Sequence, residues 1–339
     1  MRLVKTEEAV GQVLCHDMTQ IIPGVSKGPR FKKGHIVAAE DIPVLLDMGK
    51  TQLYVYELEE GMVHENDAAE RLAAICGSSN MRASAPSEGK IELTAACDGV
   101  FLVDSERLIA VNGTDEVMIA TRKGGCAVRE GDKLAGMRVI PLVVSEERLR
   151  EAEAAAGSEP LMRVEPFKFK TAAIIATGSE VASGRIEDAF TPAVEAKLAG
   201  FGISCTYRAK PGDGRDDIVA AIAEARSQGV DLVLCTGGMS VDPDDNTPGA
   251  IKASGARIVT YGAPVLPGAM LLVGYYDDGT PVLGLPGCVM YAKATIFDLL
   301  LPRIAAGTQI EKRDVVAMGE GGLCLGCKPC TYPHGPFGK

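Results

Sequence analysis

Apolar strand-like runs and amphipathic helical runs alternate along the C-terminal half of the chain. The segments TAAIIAT and VDLVLC predict apolar strands, and AFTPAVEAKLAGFG and DDIVAAIAEARSQG predict helices between them. The segment VMYAKATIFDLLLPRIAAG predicts a closing helix. Strands with apolar side chains on both faces are typical of a parallel sheet that helices cover on both sides. The pattern therefore predicts the α/β fold class, with a doubly wound, mainly parallel sheet from about residue 170 onward.

The N-terminal half has a different pattern. Short runs such as KIELTA, GVFLVD, LIAVN and EVMIAT, separated by Gly, Asp and Asn, predict a small all-β domain over residues 88–143. Before it, TEEAVGQVL predicts a short helix, and HENDAAERLAAICG predicts a longer one with Asn66 as its N-cap. We predict four segments: a mixed α/β region at 1–85, a small β-rich domain with a helical linker at 86–160, an α/β domain at 161–310 and a Cys-rich tail at 311–339.

Charge and hydropathy exclude some classes of partner. The 339 residues carry a formal net charge of −10, which argues against a nucleic-acid partner because such binders need a basic face. The start MRLVKTEEAV lacks the apolar core of a signal peptide, and the most apolar stretch, APVLPGAMLLVGYY, is too short to span a membrane. Seven of the ten cysteines are scattered. We therefore expect a cytoplasmic protein with reduced thiols and no membrane partner.

Ligands of an open parallel sheet bind beyond the carboxyl ends of its strands. Three glycine-bearing turns follow predicted strands: Thr177-Gly178-Ser179-Glu180, Thr236-Gly237-Gly238-Met239-Ser240 and Gly284-Leu285-Pro286-Gly287. Glycine lets backbone amides approach a ligand, and the N-termini of the helices that follow favour anions. Three such turns suit a phosphate or a polar heterocycle, whereas a single Gly-Gly pair is more often only a turn.

Five acidic residues follow the same strand ends: Glu180, Asp188, Asp242, Asp244 and Asp245. Carboxylates repel a phosphate unless a cation lies between them, and Mg²⁺ is held by one or two carboxylates together with ligand phosphates. These residues therefore predict a Mg²⁺ site. The alternative for Asp188, and for one of Asp244 and Asp245, is a helix N-cap.

Other catalytic signatures are missing from the sequence. It contains neither the Gly-x-x-x-x-Gly-Lys-Ser/Thr of a P-loop nor the Gly-x-Ser-x-Gly of a nucleophile elbow. The turn TGSEVASG is not Gly-x-Gly-x-x-Gly, which argues against a nicotinamide-binding oxidoreductase. The four histidines are scattered, and we interpret them as surface or core residues.

The last three cysteines, Cys324, Cys327 and Cys330, form a C-x₂-C-x₂-C pattern. Thiols at this spacing can face one metal ion, as in zinc or iron–sulfur sites. His334, or a cysteine of a partner, would then have to supply the fourth ligand. The alternative is a flexible tail with idle thiols.

Five stretches resemble the molybdopterin-binding domain of molybdenum-cofactor biosynthesis proteins. That family includes adenylyltransferases of the MogA/MoaB type, molybdate-inserting proteins of the MoeA type and the two halves of gephyrin. The matching stretches are ATGSE, GRIEDAF, DLVLCTGGMSVDPDDNTP, LPGAM and GLPGCV. The D-x-x-T-P element that ends at Pro248 resembles the adenylyltransferase type, and the Gly-Met-Ser and GLPGCV stretches resemble the MoeA type. The first 160 residues resemble MoeA only faintly.

The resemblance implies glycine turns that bind the pterin and its phosphate, and acids that serve Mg²⁺, nucleotide or molybdate. The cofactor-binding residues that it implies are Thr177, Gly178, Ser179, Thr236, Gly237, Gly238, Met239, Ser240, Pro267, Gly268, Leu285, Pro286 and Gly287. The catalytic residues that it implies are Glu180, Asp188 and Asp245, with Asp242, Asp244 and Asp245 as Mg²⁺ ligands.

Two functions are compatible with these residues. The first is a Mg²⁺-dependent reaction of molybdopterin in cofactor biosynthesis, either adenylylation with ATP or insertion of molybdate. The second is a non-catalytic carrier or sensor, which delivers the finished molybdenum cofactor to an acceptor molybdoenzyme through the Cys-rich tail. A homo-oligomer is compatible with either function.

Overall fold

The computed structural model describes residues 2–22, 26–56, 60–77, 79–185, 187–240, 242 and 245–339. The chain divides into two compact units. The first contains Met1–Cys97, Leu102–Gly124 and Arg129–Val164, and the second contains Asp98–Phe101, Gly125–Val128 and Glu165–Lys339. Residues 311–339 are therefore part of the second unit.

Short strands and a few helices make up the chain before residue 167. The strands are β1 (Arg2–Lys5), β2 (Met18–Ile22), β3 (Ser26–Phe31), β4 (Gln52–Val55), β5 (Met62–His64), β6 (Met81–Ala83), β7 (Lys90–Ala95), β8 (Gly99–Val103), β9 (Val117–Thr121), β10 (Cys126–Val128), β11 (Lys133–Val139), β12 (Val143–Ser145) and β13 (Met162–Pro166). The helices are α1 (Asp41–Asp47), α2 (Glu65–Cys76), α3 (Ser105–Asn112) and α4 (Glu146–Ala156).

The first unit contains an antiparallel sheet of four strands in the order β6-β7-β11-β9. Alternate side chains of β7, such as Ile91 and Leu93, are buried, and helix α2 packs on β7 and β11. This alternation is typical of an antiparallel sheet that covers a core with one face. The other strands before residue 167, whichever unit they belong to, form the pairs β1-β4, β2-β3 and β12-β5, and a three-stranded sheet in the order β10-β8-β13.

Two predictions for this region were wrong because a local cap decides the structure. The segment LIAVN belongs to helix α3 and not to a strand, since the carboxylate of Asp104 accepts the amide of Arg107 at 3.1 Å and begins a helix. Helix α2 is capped by His64, whose Nδ1 accepts the amide of Asn66 at 3.2 Å, so Asn66 is not the N-cap.

Two helices are shorter in the structure than the sequence patterns predict. The segment TEEAVGQVL forms only a single 3-10 turn, Thr6–Glu8. The closing helix predicted over VMYAKATIFDLLLPRIAAG begins only at Ile296, because Thr295 and Asp298 form a capping box there. The residues before it form a 3-10 turn, Gly287–Met290.

Strands and helices alternate in the second unit. After β13 the strands are β14 (Thr171–Ala176), β15 (Ser204–Ala209), β16 (Leu232–Thr236), β17 (Arg257–Tyr261), β18 (Leu272–Tyr275) and β19 (Pro281–Leu285). The helices are α5 (Ser179–Ala182), α6 (Phe190–Ala199), α7 (Arg215–Ser227), α8 (Thr247–Ala253), α9 (Ile296–Ala305) and α10 (Lys312–Val316).

These six strands form one sheet in the order β15-β14-β16-β19-β18-β17. The first four are parallel. Strand β18 runs antiparallel to both of its neighbours, β19 and β17, so the edge strand β17 runs in the same direction as the first four. Successive side chains of β16 point to opposite faces, so that Leu234 packs in one core with Phe297, and Val233 packs in another with Ile222. The prediction of a mainly parallel sheet buried on both faces is confirmed. None of the helices in the described part of the chain is long and apolar enough to cross a membrane.

Candidate functional site

Three parallel strands of the second unit end side by side. The register pairs Ala176 at the end of β14 with Thr236 at the end of β16, and Thr236 with Leu285 at the end of β19. The three predicted glycine turns therefore leave the sheet at adjacent positions along one edge. This edge is the one at which ligands bind in open parallel sheets.

Thr177 joins the first of these turns to the second. Its amide donates to the main-chain oxygen of Thr236 at 2.7 Å, and its hydroxyl lies 3.1 Å from the same oxygen and 3.0 Å from Oγ1 of Thr247. The residue is only 4% exposed. The side chain of Thr177 thus joins two turns, and its hydroxyl is already hydrogen-bonded to groups within the protein.

Gly237 and Gly238 have positive φ angles of 88° and 53°. A Cβ on Gly237 would lie 2.3 Å from the main-chain oxygen of Thr177, and one on Gly238 would lie 2.9 Å from Oγ1 of Thr247. Both glycines are therefore required by the backbone conformation and by packing inside the turn. The sequence pattern locates the turn correctly, but close approach of a ligand is not the only reason for its glycines.

A pocket of about 540 Å³ lies against the second and third turns. The predicted cofactor-binding residues that line it are Gly237, Gly238, Met239, Ser240, Gly268, Pro286 and Gly287. Thr177, Gly178, Ser179, Thr236, Pro267 and Leu285 are outside this lining. The structure thus brings together the second turn, the third turn and the LPGAM segment, whereas the first turn does not line the pocket.

The first turn is tied to a residue that the sequence pattern did not single out as part of a site. Asp213 accepts hydrogen bonds from the amide of Ser179 at 2.9 Å and from its hydroxyl at 2.5 Å. The main-chain oxygen of Asp213 accepts the side-chain amide of Asn246 at 3.0 Å. Asp213 therefore links the turns that follow β14 and β16. The sequence pattern around Asp213 predicts only the start of a helix, because nothing local in the sequence reveals a contact across 34 residues.

Asp242 and Asp245 both line the pocket. The amide of Asp242 donates to Oδ2 of Asp245 at 3.1 Å, and the amide of Asp245 donates to the main-chain oxygen of Asp242 at 3.0 Å. The residue that precedes helix α8 is Asn246, which makes no side-chain cap. Asp245 therefore stabilises its own turn and lies at the pocket. Asp244, the third predicted Mg²⁺ ligand, lies outside the described residues.

Asp188 and Glu180, two predicted catalytic residues, lie outside the lining of this pocket. Asp188 accepts the amides of Phe190 and Thr191 at 3.1 and 3.0 Å, which is the helix-cap alternative. Burial opposes its charge, but hydrogen bonds from Thr191 and Lys210 outweigh burial and lower the pKa of Asp188. Glu180 is exposed in the first turn of α5.

Tyr261 is a pocket neighbour that the sequence pattern did not single out. It ends the edge strand β17, and its hydroxyl donates to the main-chain oxygens of Met239 at 2.9 Å and Ser240 at 3.3 Å. Burial, together with the negative charge of Asp245, raises the pKa of Tyr261. The strand pattern ARIVTYG predicts the position of this tyrosine, but only the fold places it beside the second turn.

Charge in the pocket has one sign. Asp242 and Asp245 are the charged side chains among the described residues of its lining, which otherwise consists of glycines, Phe190, Tyr291, thioethers and small groups. An anionic ligand in this pocket would face two carboxylates and no Lys or Arg of that lining. Carboxylates repel a phosphate unless a cation lies between them.

The tail cysteines occupy different environments. Cys324 is partly buried against the core of the second unit, whereas Cys327 and Cys330 are exposed. In the described part of the chain, no group of three or more His, Cys, Asp or Glu side chains is arranged to hold a metal ion. The structure thus does not bring the three thiols together, and metal binding by the tail stays a prediction.

Comparison with known proteins identifies the domain that contains the pocket. Residues 173–306 match a family model described as "Probable molybdopterin binding domain". The chain carries a molybdopterin-binding domain. This domain is of the type found in molybdenum cofactor biosynthesis, and all the pocket residues named above belong to it. Molybdopterin is therefore its substrate or cofactor.

The part before this domain has separate similarities. Residues 3–57 match a domain of unknown function, DUF8806. The molybdopterin molybdenumtransferase of Staphylococcus epidermidis is 23% identical over 338 residues, covering 91% of this chain and 75% of the relative. That alignment extends well into the first 160 residues.

Other similar proteins cover a smaller part of the chain. A CinA-like protein of Mycobacterium avium is 37% identical over 76 residues, which are 22% of this chain and 18% of that protein. The crystal structure of the molybdopterin biosynthesis enzyme MoaB from Thermus thermophilus covers 42% of this chain and 99% of its own, with 21% identity and a TM-score of 0.36.

Proposed function

We propose that this chain carries out a Mg²⁺-dependent reaction of molybdopterin, either transfer of a nucleotide from ATP to its phosphate or insertion of molybdate. The observation that carries the proposal is the pocket of the molybdopterin-binding domain, into which Asp242 and Asp245 are brought together beside two glycine turns. Both reactions take place between anionic groups, which a cation held by these carboxylates would bring together.

The residues present fit molybdopterin. A volume of about 540 Å³ is within the range of small-molecule sites. Phe190 and Tyr291 supply aromatic surface for a flat heterocycle, and the backbone of the Gly237-Gly238 turn supplies amides for a polar group. When bound, molybdopterin supplies the phosphate that accepts a nucleotide and the dithiolene that accepts molybdenum.

The two carboxylates would bind the cation that a phosphate in this acidic pocket requires. Asp242 and Asp245 would hold Mg²⁺, which offsets the charge of phosphates while they react. Tyr261 would keep the turn that carries them in place through its hydrogen bonds to Met239 and Ser240. Asp188, which caps helix α6, would stabilise the fold without contacting a substrate. Glu180 is exposed and would be free to contact the second substrate.

The decisive experiment supplies each substrate in turn under anaerobic conditions. The protein is incubated with molybdopterin and MgATP, then with molybdate, and the products are followed by mass spectrometry of the pterin and elemental analysis of protein-bound molybdenum. We expect adenylylated pterin or bound molybdenum, and loss of either product when EDTA removes Mg²⁺.

The same experiment separates the alternative functions. Tight binding of molybdopterin without either product would favour the non-catalytic carrier or sensor. Failure to bind molybdopterin at all would contradict the proposal. An acceptor molybdoenzyme belongs to the carrier function and would have to be tested by transfer of the loaded cofactor.

A further inference from the structure

The C-terminal residues 321–338, which we call the thiol loop, form a closed loop on the second unit. The amide of Gly338 donates to the main-chain oxygen of Gly321 at 2.9 Å, which closes the loop at its base. The hydroxyl of Tyr332 donates to the main-chain oxygen of Asp298 in helix α9 at 2.9 Å, and Phe337 is buried in the core. The thiol loop is therefore an anchored part of the domain.

The thiol loop presents two thiols to solvent. Cys327 and Cys330 are exposed, whereas the other eight cysteines are buried or partly buried. Burial raises the pKa of the Cys76 and Cys235 thiols to about 12, which makes them poor nucleophiles at neutral pH. By exposure, Cys327 and Cys330 are the thiols most accessible to a soluble oxidant.

The two exposed thiols flank a bend. Lys328 and Pro329 change the direction of the chain between them. A bend favours the short Cα separation that a disulfide requires, which an extended chain of four residues would not give. The side chain of Cys324 is partly buried against the core, which makes it less accessible than Cys327 and Cys330.

The loop is hydrogen-bonded to a segment that lines the pocket. The amide of Leu266 donates to the main-chain oxygen of Gly322, and the amide of Cys324 donates to the main-chain oxygen of Leu266, both at 2.8 Å. Leu266 is followed by Pro267 and by Gly268, which lines the pocket. The thiol loop and the pocket thus share one backbone segment.

We propose that Cys327 and Cys330 are a reversible dithiol–disulfide pair that reacts with low-molecular-weight disulfides and tightens the pairing between the thiol loop and Leu266. The thiolate of one cysteine attacks the soluble disulfide, forming a mixed disulfide and releasing one soluble thiol. The second cysteine attacks the protein sulfur of that mixed disulfide and releases the other soluble thiol. The protein loses two hydrogens, and the soluble disulfide is reduced to two thiols.

The proposal can be tested on the full chain without molybdopterin. The protein is incubated with glutathione disulfide, acid-quenched, alkylated with N-ethylmaleimide and digested with trypsin. Residues 314–339 form one peptide, because Lys328 precedes proline, and it contains all three tail cysteines. We expect the reduced peptide to take three alkyl groups and the oxidised peptide to take one, on Cys324, with the loss of two hydrogens elsewhere.

Variants identify the bonded pair. Cys327→Ser and Cys330→Ser should each abolish the internal disulfide, and Cys324→Ser should retain it. A disulfide that involves Cys324, or none at all, would overturn the proposal. So would one equivalent of Zn or iron in protein prepared without chelator, with all three thiols protected from alkylation, since a tail metal site excludes a free dithiol.

Hydrogen exchange tests the link to the pocket segment. In the oxidised protein the amides of Leu266 and Cys324 should exchange more slowly, by a factor of about three or more, because a closed loop opens less often. Cys327→Ser treated with the same oxidant should show no change. Equal rates in the oxidised and reduced forms would overturn the coupling, whatever molybdopterin does.

Discussion

The hydroxyl of Tyr261 donates a hydrogen bond of 2.9 Å to the main-chain oxygen of Met239. Tyr261 ends the edge strand β17, and Met239 belongs to the turn that follows β16, a strand that runs in the same direction. The edge strand of the sheet therefore fixes a turn that lines the pocket. In this way a residue that is absent from the pocket lining determines the shape of the pocket.

We predict that Tyr261→Phe weakens binding of molybdopterin about fivefold, because one hydrogen bond of about 1 kcal/mol no longer holds the turn. Anaerobic titration monitored by pterin fluorescence measures this change. Tyr54→Phe is a matched control, since Tyr54 is 43% exposed and Tyr261 is 44% exposed. If both variants bind as tightly as the unmodified protein, Tyr261 does not position the turn.

Gly238→Ala is expected to lower the free energy of unfolding by about 1–3 kcal/mol, because its φ of 53° and the contact with Thr247 oppose a side chain. Gly249→Ala is the matched control: it lies in helix α8 with nothing within 4 Å of the added Cβ. That control should be neutral or stabilising by up to about 1 kcal/mol. Urea denaturation compares them, and equal stabilities would contradict the packing argument for Gly238.

The sequence predicts the sheet well because its pattern is strong there. Residues such as Ile174 and Val233 lie in uninterrupted apolar runs, and buried parallel strands are the structure in which such runs are found. LIAVN, by contrast, is equally apolar, and the carboxylate of Asp104 is what makes it a helix. A short apolar run is compatible with both a strand and a helix, so the capping residue determines which of the two forms.

The site was predictable only in part, for a different reason. Gly238, Asp245 and Gly287 were all found because each follows a strand whose end the sequence reveals. Asp213 and Tyr261 were missed because their contacts cross strands that are far apart in the chain. Residues that act by holding a turn have no local signature, since their role exists only in the folded sheet.

Asp245→Asn should reduce the effect of Mg²⁺ on molybdopterin binding by about tenfold or more, because the amide keeps the shape but loses the charge that holds the metal. The affinity measured in EDTA should change little. Calorimetric titration with and without Mg²⁺ separates the two quantities. Asp216→Asn, an exposed acid in the first turn of α7, is the control. An unchanged Mg²⁺ effect in Asp245→Asn would remove this residue from the metal site.

The capping carboxylate of Asp188 should make stability depend on acid pH. Its pKa in the folded state is lowered from 3.8, so its contribution is present above about pH 4 and is lost as pH falls below 3.8. Asp188→Asn should therefore be less stable than the unmodified protein at neutral pH, by about 1–2 kcal/mol, and this difference should narrow below pH 3.8. Denaturation at several pH values measures it, and a difference that is constant with pH would show that the charge does not matter.

The contact between Asp213 and Ser179 decides whether the first turn is needed for function. Asp213→Ala removes the acceptor of the Ser179 amide, so exchange of that amide should accelerate by on the order of tenfold. Asp216→Ala, on the helix that follows, is the control and should leave Ser179 unchanged. If Glu180 acts on the second substrate from this turn, Asp213→Ala and Glu180→Gln should lower turnover by similar factors and leave molybdopterin affinity intact. Faster exchange at Ser179 with normal turnover would instead show that the first turn has only a structural role. The residues that take part in the reaction would then be those of the second and third turns, with Asp242 and Asp245.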